Sequence, residues 1–195
     1  VKKLARSNVL VHEMNCVETL ARVNVLCVDK TGTITRPDMS VSDVVFLKDN
    51  VGKLIAGVAG NMDDDNETMK AIKDYYHITD RDNSAERVYS FSSQNKYSGA
   101  VLDGRCYIFG APEYVLLDTY AEYEDIFERY SGHGERILVF GECVGDPCGN
   151  IIEEAVNPYA FIILENEIRD TAKETFGYFA SQGVDIVVIS GDNPV

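Results

Sequence analysis

Two Val-rich apolar segments far apart in the chain each end on a polar turn, and this feature constrains the fold more than any other. Val23–Val28 runs into Asp29, and Val184–Ile189 runs into Ser190. Segments of this kind are typical of strands buried in a parallel sheet. The carboxyl ends of parallel strands meet along one edge, where doubly wound α/β sheets bind their ligands. The sequence therefore predicts an α/β fold with both polar turns at one site.

The sequence between these two strands has a different pattern, in which short alternating strands are interspersed with helices. Predicted strands cover residues 41–46, 87–92, 97–101, 106–110 and 136–141, and predicted helices cover 67–76 and 122–130. An apolar run at 159–164 and a helix over 171–182 are assigned to the last segment, before the second parallel strand. We therefore predict an antiparallel α+β domain at residues 37–156. It is inserted between residues 1–36 and 157–195, which together form one parallel-sheet domain.

Most of the negative charge lies in the predicted insert. The chain has 18 Lys and Arg against 32 Asp and Glu, and residues 37–156 carry 10 basic and 23 acidic residues, or −13 of the formal charge of −14. A surface this acidic repels polyphosphate backbones, so we expect no nucleic-acid partner and only a local nucleotide site. No apolar run reaches the ~20 residues of a membrane helix. We therefore expect this segment to be soluble, without direct membrane insertion.

The polar turn after the first strand, residues 29–35, has the residue types that phosphoryl transfer requires. The Asp29 carboxylate at the end of a strand is a candidate nucleophile. Lys30 offsets negative charge, and Gly32 lets backbone N–H groups surround an anion. The alternative is an ordinary polar turn that Asp29 caps.

Three stretches of the sequence resemble the P-type ATPases, ion pumps whose catalytic domain belongs to the haloacid dehalogenase superfamily. DKTGTIT at 29–35 resembles their phosphorylation signature, NCVETLARVNVLCV at 15–28 resembles the stretch before it, and ISGDN at 189–193 resembles their TGDN motif. The resemblance implies a partial Rossmann-like, haloacid dehalogenase-type parallel sheet. It also implies that the insert is an antiparallel α+β nucleotide-binding domain.

The same resemblance implies roles for the residues of both turns. Asp29 would accept the γ-phosphoryl group of ATP as an acyl phosphate, and Lys30 and Thr31 would position it. The Asp29 carboxylate and the Thr31 carbonyl would bind Mg²⁺. Ser190 stands where the pumps usually have Thr and keeps the hydroxyl. The implied phosphate-binding residues are Thr31, Gly32, Thr33, Ser190, Gly191 and Asp192.

Thr31 also separates a pump from a phosphatase. The resemblance implies that a phosphatase of this superfamily would carry a second Asp there, and losing such a general acid and base costs about 10²- to 10⁴-fold in rate. With Thr31 the acyl phosphate would persist long enough to be coupled to another process. Arg169, in ENEIR, occupies the slot of the Arg in the DPPR motif of many pumps. A surface ion pair at a helix start is an equally good interpretation of Arg169.

The insert has an aromatic residue and a cation at a spacing that suits ATP. Phe91 begins FSSQNK, in which an exposed ring can stack on a purine and Lys96 can reach the phosphates. This stretch resembles the FSxxxK motif of the pumps, and a Phe in the core is the alternative. Gly110 and Ala111, in GAPE, resemble the KGAPE motif, with Phe109 at the position of the usual Lys.

Two more charged residues resemble nucleotide contacts of the pumps. Arg136, in GERILVF, resembles an Arg that reaches a phosphate, and Glu67, in DNETM, resembles an acidic residue near the adenine amino group. A strand-edge Arg and a Glu favoured by a helix dipole are the respective alternatives. The His-Pro and metal-binding CxxC signatures of heavy-metal pumps are absent from the sequence, so the resemblance points to the calcium and magnesium branch.

These features together imply the ATP-binding and phosphorylation fragment of a cation-transporting P-type ATPase, using ATP and Mg²⁺ at the cytoplasmic face of a cell membrane. Its other partner would be the remainder of its own polypeptide, the membrane helices and the actuator domain. We expect the segment to be truncated after SGDN and inactive alone. The alternatives are a soluble haloacid dehalogenase-type phosphatase with the insert as a cap, and a nucleotide-sensing module without catalysis.

Overall fold

The computed structural model describes residues 6, 10, 13, 15–63, 66–80, 82, 84–131, 135–145, 147 and 151–189. These residues divide into two compact units. The smaller contains those up to Arg36 and those from Ile168 onward, and the larger lies within residues 37–167. The first boundary matches the predicted division at 36/37. The predicted second boundary at 157 is corrected to Ile168, because the strand that begins at Asn157 pairs in the sheet of the larger unit.

Both units contain helices and strands, numbered here in chain order. The helices are α1 (Cys16–Leu20), α2 (Val51–Asn61), α3 (Glu67–Tyr75), α4 (Pro112–Val115), α5 (Glu124–Ser131) and α6 (Ala172–Ser181). The strands are β1 (Val25–Asp29), β2 (Thr35–Phe46), β3 (Arg87–Tyr89), β4 (Tyr97–Leu102), β5 (Arg105–Gly110), β6 (Arg136–Glu142), β7 (Asn157–Ile168) and β8 (Asp185–Ile189). Among the described residues, no helix is both long and apolar enough to cross a membrane.

The smaller unit is built on a two-stranded parallel sheet of β1 and β8. Val25 pairs with Asp185 at one end of the sheet, and Asp29 pairs with Ile189 at the other. The helix α6 precedes β8, and the chain turns between them at Gly183, whose φ of 73° is readily adopted only by glycine. This arrangement confirms the parallel α/β pairing predicted from the two Val-rich segments.

The larger unit is a six-stranded sheet in the order β2-β7-β6-β5-β4-β3. Neighbouring strands from β3 to β7 pair antiparallel. Leu47 N donates to Tyr159 O at one end of the β2–β7 pair, and Asn166 donates to Asp38 O at the other, so this pair is antiparallel as well. The apolar run at 159–164 is therefore an antiparallel strand of the insert and not part of the parallel sheet. The tight turn between β4 and β5 uses Asp103 and Gly104, both at positive φ.

Helices cover both faces of this sheet, because the buried side chains of each strand alternate between two apolar clusters. On one face α2 and α3 pack through Ile55, Val58 and Ile72 against Phe109, Phe140 and Ile162. On the other face the apolar cluster joins Val115 of α4, the following Leu116 and Phe127 of α5 to Ile108, Val139 and Phe161. The sheet is thus buried on both sides and positions the turns at its ends.

Candidate functional site

Asp29 lies where the sequence predicts it, at the carboxyl end of β1, and its side chain is exposed. Its parallel neighbour is Ile189, the last residue of β8. The chain leaves both strands at the same edge of the sheet, which is where α/β folds place their ligands. The predicted phosphate-binding residues of the second turn lie outside the described residues; they are Ser190, Gly191 and Asp192.

The loop after Asp29 is closed on itself by hydrogen bonds. Gly32 has a φ of 76°, and its N–H donates to Thr35 Oγ1 over 3.2 Å. The Thr35 hydroxyl in turn donates to Lys30 O over 3.3 Å, and Thr35 N also donates to Lys30 O. Thr31 and Thr33 are exposed on the outside of this loop. Thr35 belongs to the motif but had no predicted role, and its buried hydroxyl holds the loop.

Arg169 binds the backbone of the same loop. Its Nη2 donates to Gly32 O over 3.0 Å, its Nε to Thr35 O over 3.1 Å, and its backbone N–H to Ile34 O over 2.9 Å. The planar guanidinium suits two acceptors at once. The sequence analysis left a DPPR-like slot and a surface ion pair as the two interpretations of Arg169, and neither of them named this contact with the loop. The ion pair in this region is made by Arg36 with Asp170, over 3.0 Å.

In the larger unit the FSSQNK and GAPE stretches lie side by side. Lys96 N donates to Ser92 O over 2.9 Å, which closes the turn between Phe91 and Lys96. Lys96 O accepts from Ala111 N over 3.2 Å, and the next residue, Tyr97, pairs with Gly110 across β4 and β5. The Phe91 side chain is 48% exposed, so it is not a core residue.

Gly110 and Lys96 each have a neighbour that the sequence did not indicate. A Cβ on Gly110 would lie 2.3 Å from Val115 Cγ1, so glycine is required here for the packing of α4. Lys96 Nζ lies 5.9 Å from the ring centre of Tyr114, at the outer limit of a cation–π contact. Tyr114 is 48% exposed and follows directly on the GAPE stretch.

Glu67 and Arg136 lie on different elements, and Met39 contacts Arg136 and the residue after Glu67. Glu67 is exposed in the first turn of α3, which Asn66 caps by accepting from Met69 N over 2.9 Å. The next residue, Thr68, contacts Met39 Sδ at 3.8 Å, and Arg136 Nη1 contacts the same sulfur at 4.0 Å. A thioether is a weak hydrogen-bond acceptor. These contacts therefore show that Thr68 and Arg136 lie near each other, but they contribute little to the stability of either side chain.

Phe109, at the position of the usual Lys, lies in the core. It is 2% exposed, and its ring centre lies 4.9 Å from that of Phe140. Of the residues proposed for the nucleotide, Lys96 and Arg136 therefore carry the positive charge. Within the described part of the chain, no group of three or more His, Cys, Asp or Glu residues is arranged to hold a metal ion.

Sequence comparison relates the whole chain to cation-transporting ATPases. It is 38% identical over 197 residues to the calcium-transporting ATPase CtpE of Mycolicibacterium smegmatis, covering 100% of this chain and 25% of that protein. It is 36% identical over 203 residues to the probable cation-transporting ATPase exp7 of Streptococcus pneumoniae, again covering 25% of the relative. The chain thus spans about a quarter of the length of these curated relatives. No protein-family model matches it.

Fold comparison leads to the same group of proteins. The catalytic domain of the CPx-ATPase CopB-B superposes with a TM-score of 0.66 at 13% identity, over 98% of this chain and 63% of that one. A zinc-transporting PIB-type ATPase superposes with a TM-score of 0.63 at 19% identity, over 91% of this chain and 27% of that one. The chain is therefore homologous over its whole length to one part of the cation-transporting P-type ATPases, and its fold is similar to that of their nucleotide-binding domain.

Proposed function

We propose that this chain is the ATP-binding and phosphoryl-accepting part of a cation-transporting P-type ATPase, with Asp29 as the acceptor. The observation that carries the proposal is the exposed Asp29 carboxylate at the end of β1, heading a loop that Thr35 and Arg169 hold in one conformation. The names of the relatives, which are cation-transporting ATPases, support this general activity. A pre-organised loop supports transfer to a fixed carboxylate, because positioning supplies most of the catalysis in phosphoryl transfer.

The reaction follows from the groups present. A carboxylate oxygen of Asp29 attacks the γ-phosphorus of ATP, the bond to the β–γ bridging oxygen breaks, and ADP leaves with its electron pair. Lys30 lies next to the acceptor and offsets the charge of the transferred group. Backbone N–H groups of the loop would donate to its equatorial oxygens. The N–H of Gly32 is not among them in this conformation, because it donates to Thr35 Oγ1. Water later hydrolyses the acyl phosphate.

The donor set at Asp29 fits Mg²⁺. This ion keeps several waters and is bound through one or two carboxylates together with substrate phosphates. The Asp29 carboxylate and the Thr31 carbonyl, at the exposed end of the loop, would hold it. When bound, Mg²⁺ would neutralise phosphate charge during the transfer.

The larger unit would hold the nucleotide with the residues around Phe91 and Lys96. Phe91 would stack on the adenine, Lys96 would reach the phosphates, and the backbone at Gly110 and Ala111 would face the base. Arg136 would bind a phosphate, and Glu67 would accept from the adenine amino group. The exposure of Phe91 and the contact between Lys96 and Ala111 support this arrangement.

We propose that the protein belongs to the calcium and magnesium branch and lies at the cytoplasmic face of a membrane. The membrane helices and actuator domain would lie in the rest of its polypeptide. The curated relatives at 36–38% identity support a calcium or general cation pump. The zinc-transporting neighbour shares 19% identity, which supports the fold alone.

The acceptor can be tested in the intact polypeptide that carries this chain. With γ-labelled ATP, we expect an acid-stable, hydroxylamine-sensitive label that Asp29→Asn abolishes. Asp185→Asn is a matched control, because Asp185 is an exposed carboxylate at the opposite end of the same sheet. Label that persists in Asp29→Asn would refute the assignment. Turnover of small phosphomonoesters without any labelled intermediate would indicate a phosphatase instead.

The nucleotide site can be tested in the 195-residue chain by titration with ATP. Stacking on an aromatic side chain contributes about 1–3 kcal/mol per base, so Phe91→Ala should weaken ATP binding about 5- to 150-fold. Phe46→Ala is the control, because Phe46 is also exposed, at 51%, but lies beside Gly52 of α2. Equal affinity of the two variants would rule out stacking on Phe91.

A further inference from the structure

Cys106 and Cys143 lie directly opposite each other on neighbouring strands. Tyr107 pairs with Glu142 in the antiparallel ladder of β5 and β6, so the next pair outward is Cys106 with Cys143. The Cys143 N–H donates to Cys106 O over 2.9 Å, which shows that the register continues to this pair. Neither cysteine is disulfide-bonded in the structure.

The two side chains lie on the same face of the sheet. Cys106 is 4% exposed inside the apolar cluster beneath α4 and α5, and the half-buried Cys143 packs against the same cluster. Opposite residues of a hydrogen-bonded antiparallel pair have Cα atoms about 5.5 Å apart. Disulfides join Cα atoms about 4.4–6.8 Å apart, so the backbone places this pair within bonding range.

We propose that Cys106 and Cys143 form a reversible disulfide, with a low-molecular-weight disulfide such as oxidised glutathione as the oxidant. The thiolate of Cys143, the more exposed of the two, attacks one sulfur of the oxidant and releases one glutathione thiolate. The thiolate of Cys106 then attacks the Cys143 sulfur and releases the second. Two protein thiols are oxidised, one glutathione disulfide is reduced to two thiols, and the protons lost from the cysteines end on the two released thiolates.

The position of the bond limits what it can affect. Cys106 lies near the start of β5, whereas Gly110 ends that strand beside Ala111 and Lys96. The disulfide would therefore tie β5 to the chain after β6 at the end of the sheet away from the proposed nucleotide residues. This inference does not depend on the proposed function.

The proposal is tested by oxidising the folded 195-residue chain with oxidised glutathione. The remaining thiols are then alkylated, and the non-reduced peptides are mapped by mass spectrometry. We expect one intramolecular link, between Cys106 and Cys143, that a reducing agent removes. Cys27→Ser, which changes an exposed cysteine in the smaller unit, should keep this link, and Cys143→Ser should lose it. A link to Cys148, or alkylation of both Cys106 and Cys143 after oxidation, would overturn the proposal.

Thermal unfolding provides a readout that does not depend on the folding of a variant. The bond closes a long loop and so restricts the unfolded chain, which should raise the Tm of the oxidised wild-type chain above that of the reduced chain. The difference should disappear in Cys143→Ser and remain in Cys27→Ser. An equal Tm of oxidised and reduced wild-type protein, with the mapped link present, would show that the native strands do not accept the bond.

Discussion

The two units of this chain differ in charge and in how they are stabilised. With the boundary at Ile168, residues 37–167 carry 10 basic and 25 acidic residues, a net charge of −15. Residues 1–36 and 168–189 together carry 8 basic and 6 acidic residues, a net charge of +2. The larger unit buries both faces of its sheet. In the smaller unit, apolar side chains of the sheet are exposed: Val25 at 45%, Val187 at 46%, Val188 at 51% and Ile189 at 57%.

Within this chain, the loop with the candidate acceptor therefore lies on the unit whose sheet has exposed apolar side chains. Parallel sheets are usually covered on both faces, and a two-stranded sheet gains little from burial. The conformation of the loop therefore depends on polar contacts, chiefly those of Thr35 and Arg169. The larger unit has the opposite character, because its sheet is a packed core that positions exposed residues at its ends.

The largest expected effect distinguishes packing in the two units. In Gly99→Ala, the new Cβ would lie 2.2 Å from Tyr107 O and 2.9 Å from Ile108 Cα, backbone atoms of a central strand that cannot move cheaply. We expect a loss of about 3 kcal/mol or more of unfolding free energy, measured by urea denaturation. In Gly177→Ala, nothing lies within 4 Å of the new Cβ on α6, and we expect a gain of about 0.5–1 kcal/mol from helix propensity.

Hydrogen exchange read by mass spectrometry assigns each effect to its unit. Peptides from β4 and β5 should exchange faster in Gly99→Ala, and peptides from α6 should exchange more slowly in Gly177→Ala. Tolerance of Gly99→Ala at wild-type stability would contradict the close approach of β4 and β5 at this residue.

The parts of the fold that could be predicted are those with a local signal. The Val-rich segments predicted the parallel pair β1 and β8, and the turn chemistry after Asp29 predicted an exposed carboxylate at the strand end. The strand β7 was assigned to the wrong domain for a physical reason. Its residues Ala160–Leu164 are buried on both faces. A continuous apolar run of this kind does not distinguish a strand of a parallel sheet from a buried strand of an antiparallel sheet.

Other features depend on tertiary contacts that the sequence does not show. The helix α2 was not predicted because Gly52, Gly57 and Gly60 lower its helix propensity, yet burial of Ile55 and Val58 stabilises it. At the candidate site, the contact of Arg169 with Gly32 O joins residues far apart in the chain. The sequence left two interpretations of Arg169 open because only the folded chain determines which acceptor lies within reach.

A smaller effect tests the polar stabilisation of the loop. Arg169→Ala removes two charged donors from the carbonyls of Gly32 and Thr35, and we expect a local loss of about 1–2 kcal/mol. Exchange in peptides covering 30–36 should accelerate about 5- to 30-fold, with no change in β4 and β5. Arg169→Lys should restore only part of the protection, because a point charge cannot bind both acceptors as a fork does.

The control for this effect is Arg22→Ala in the same unit. Arg22 pairs with Glu18 over 2.6 Å, and both side chains are at least 70% exposed, so the pair contributes little. Exchange at 30–36 that responds equally to the loss of Arg22 and of Arg169 would show that the loop does not depend on the Arg169 contacts.

The smallest expected effect is a loss of stability of the larger unit at alkaline pH. A hydrogen bond to the Glu142 carboxylate, together with burial, raises the pKa of Tyr159 to about 12, and burial raises the pKa of Tyr76 to about 12. In the unfolded chain a tyrosine titrates near 10. Because the unfolded state loses these protons first, the stability from both residues is complete below about pH 10 and decreases as the pH rises to about 12.

Two substitutions separate the causes of these pKa shifts. Tyr159→Phe and Tyr76→Phe should each flatten the dependence of unfolding free energy on pH between 10 and 12. At pH 7 their effects should differ in sign. Tyr159→Phe loses a hydrogen bond to a carboxylate and should cost about 1 kcal/mol. Tyr76→Phe removes a buried hydroxyl that has no hydrogen-bond partner among the described residues, and it should be neutral or stabilising. Equal destabilisation at pH 7 would show that Tyr76 has a partner, and an unchanged pH dependence would show that neither tyrosine is coupled to the packing of the larger unit.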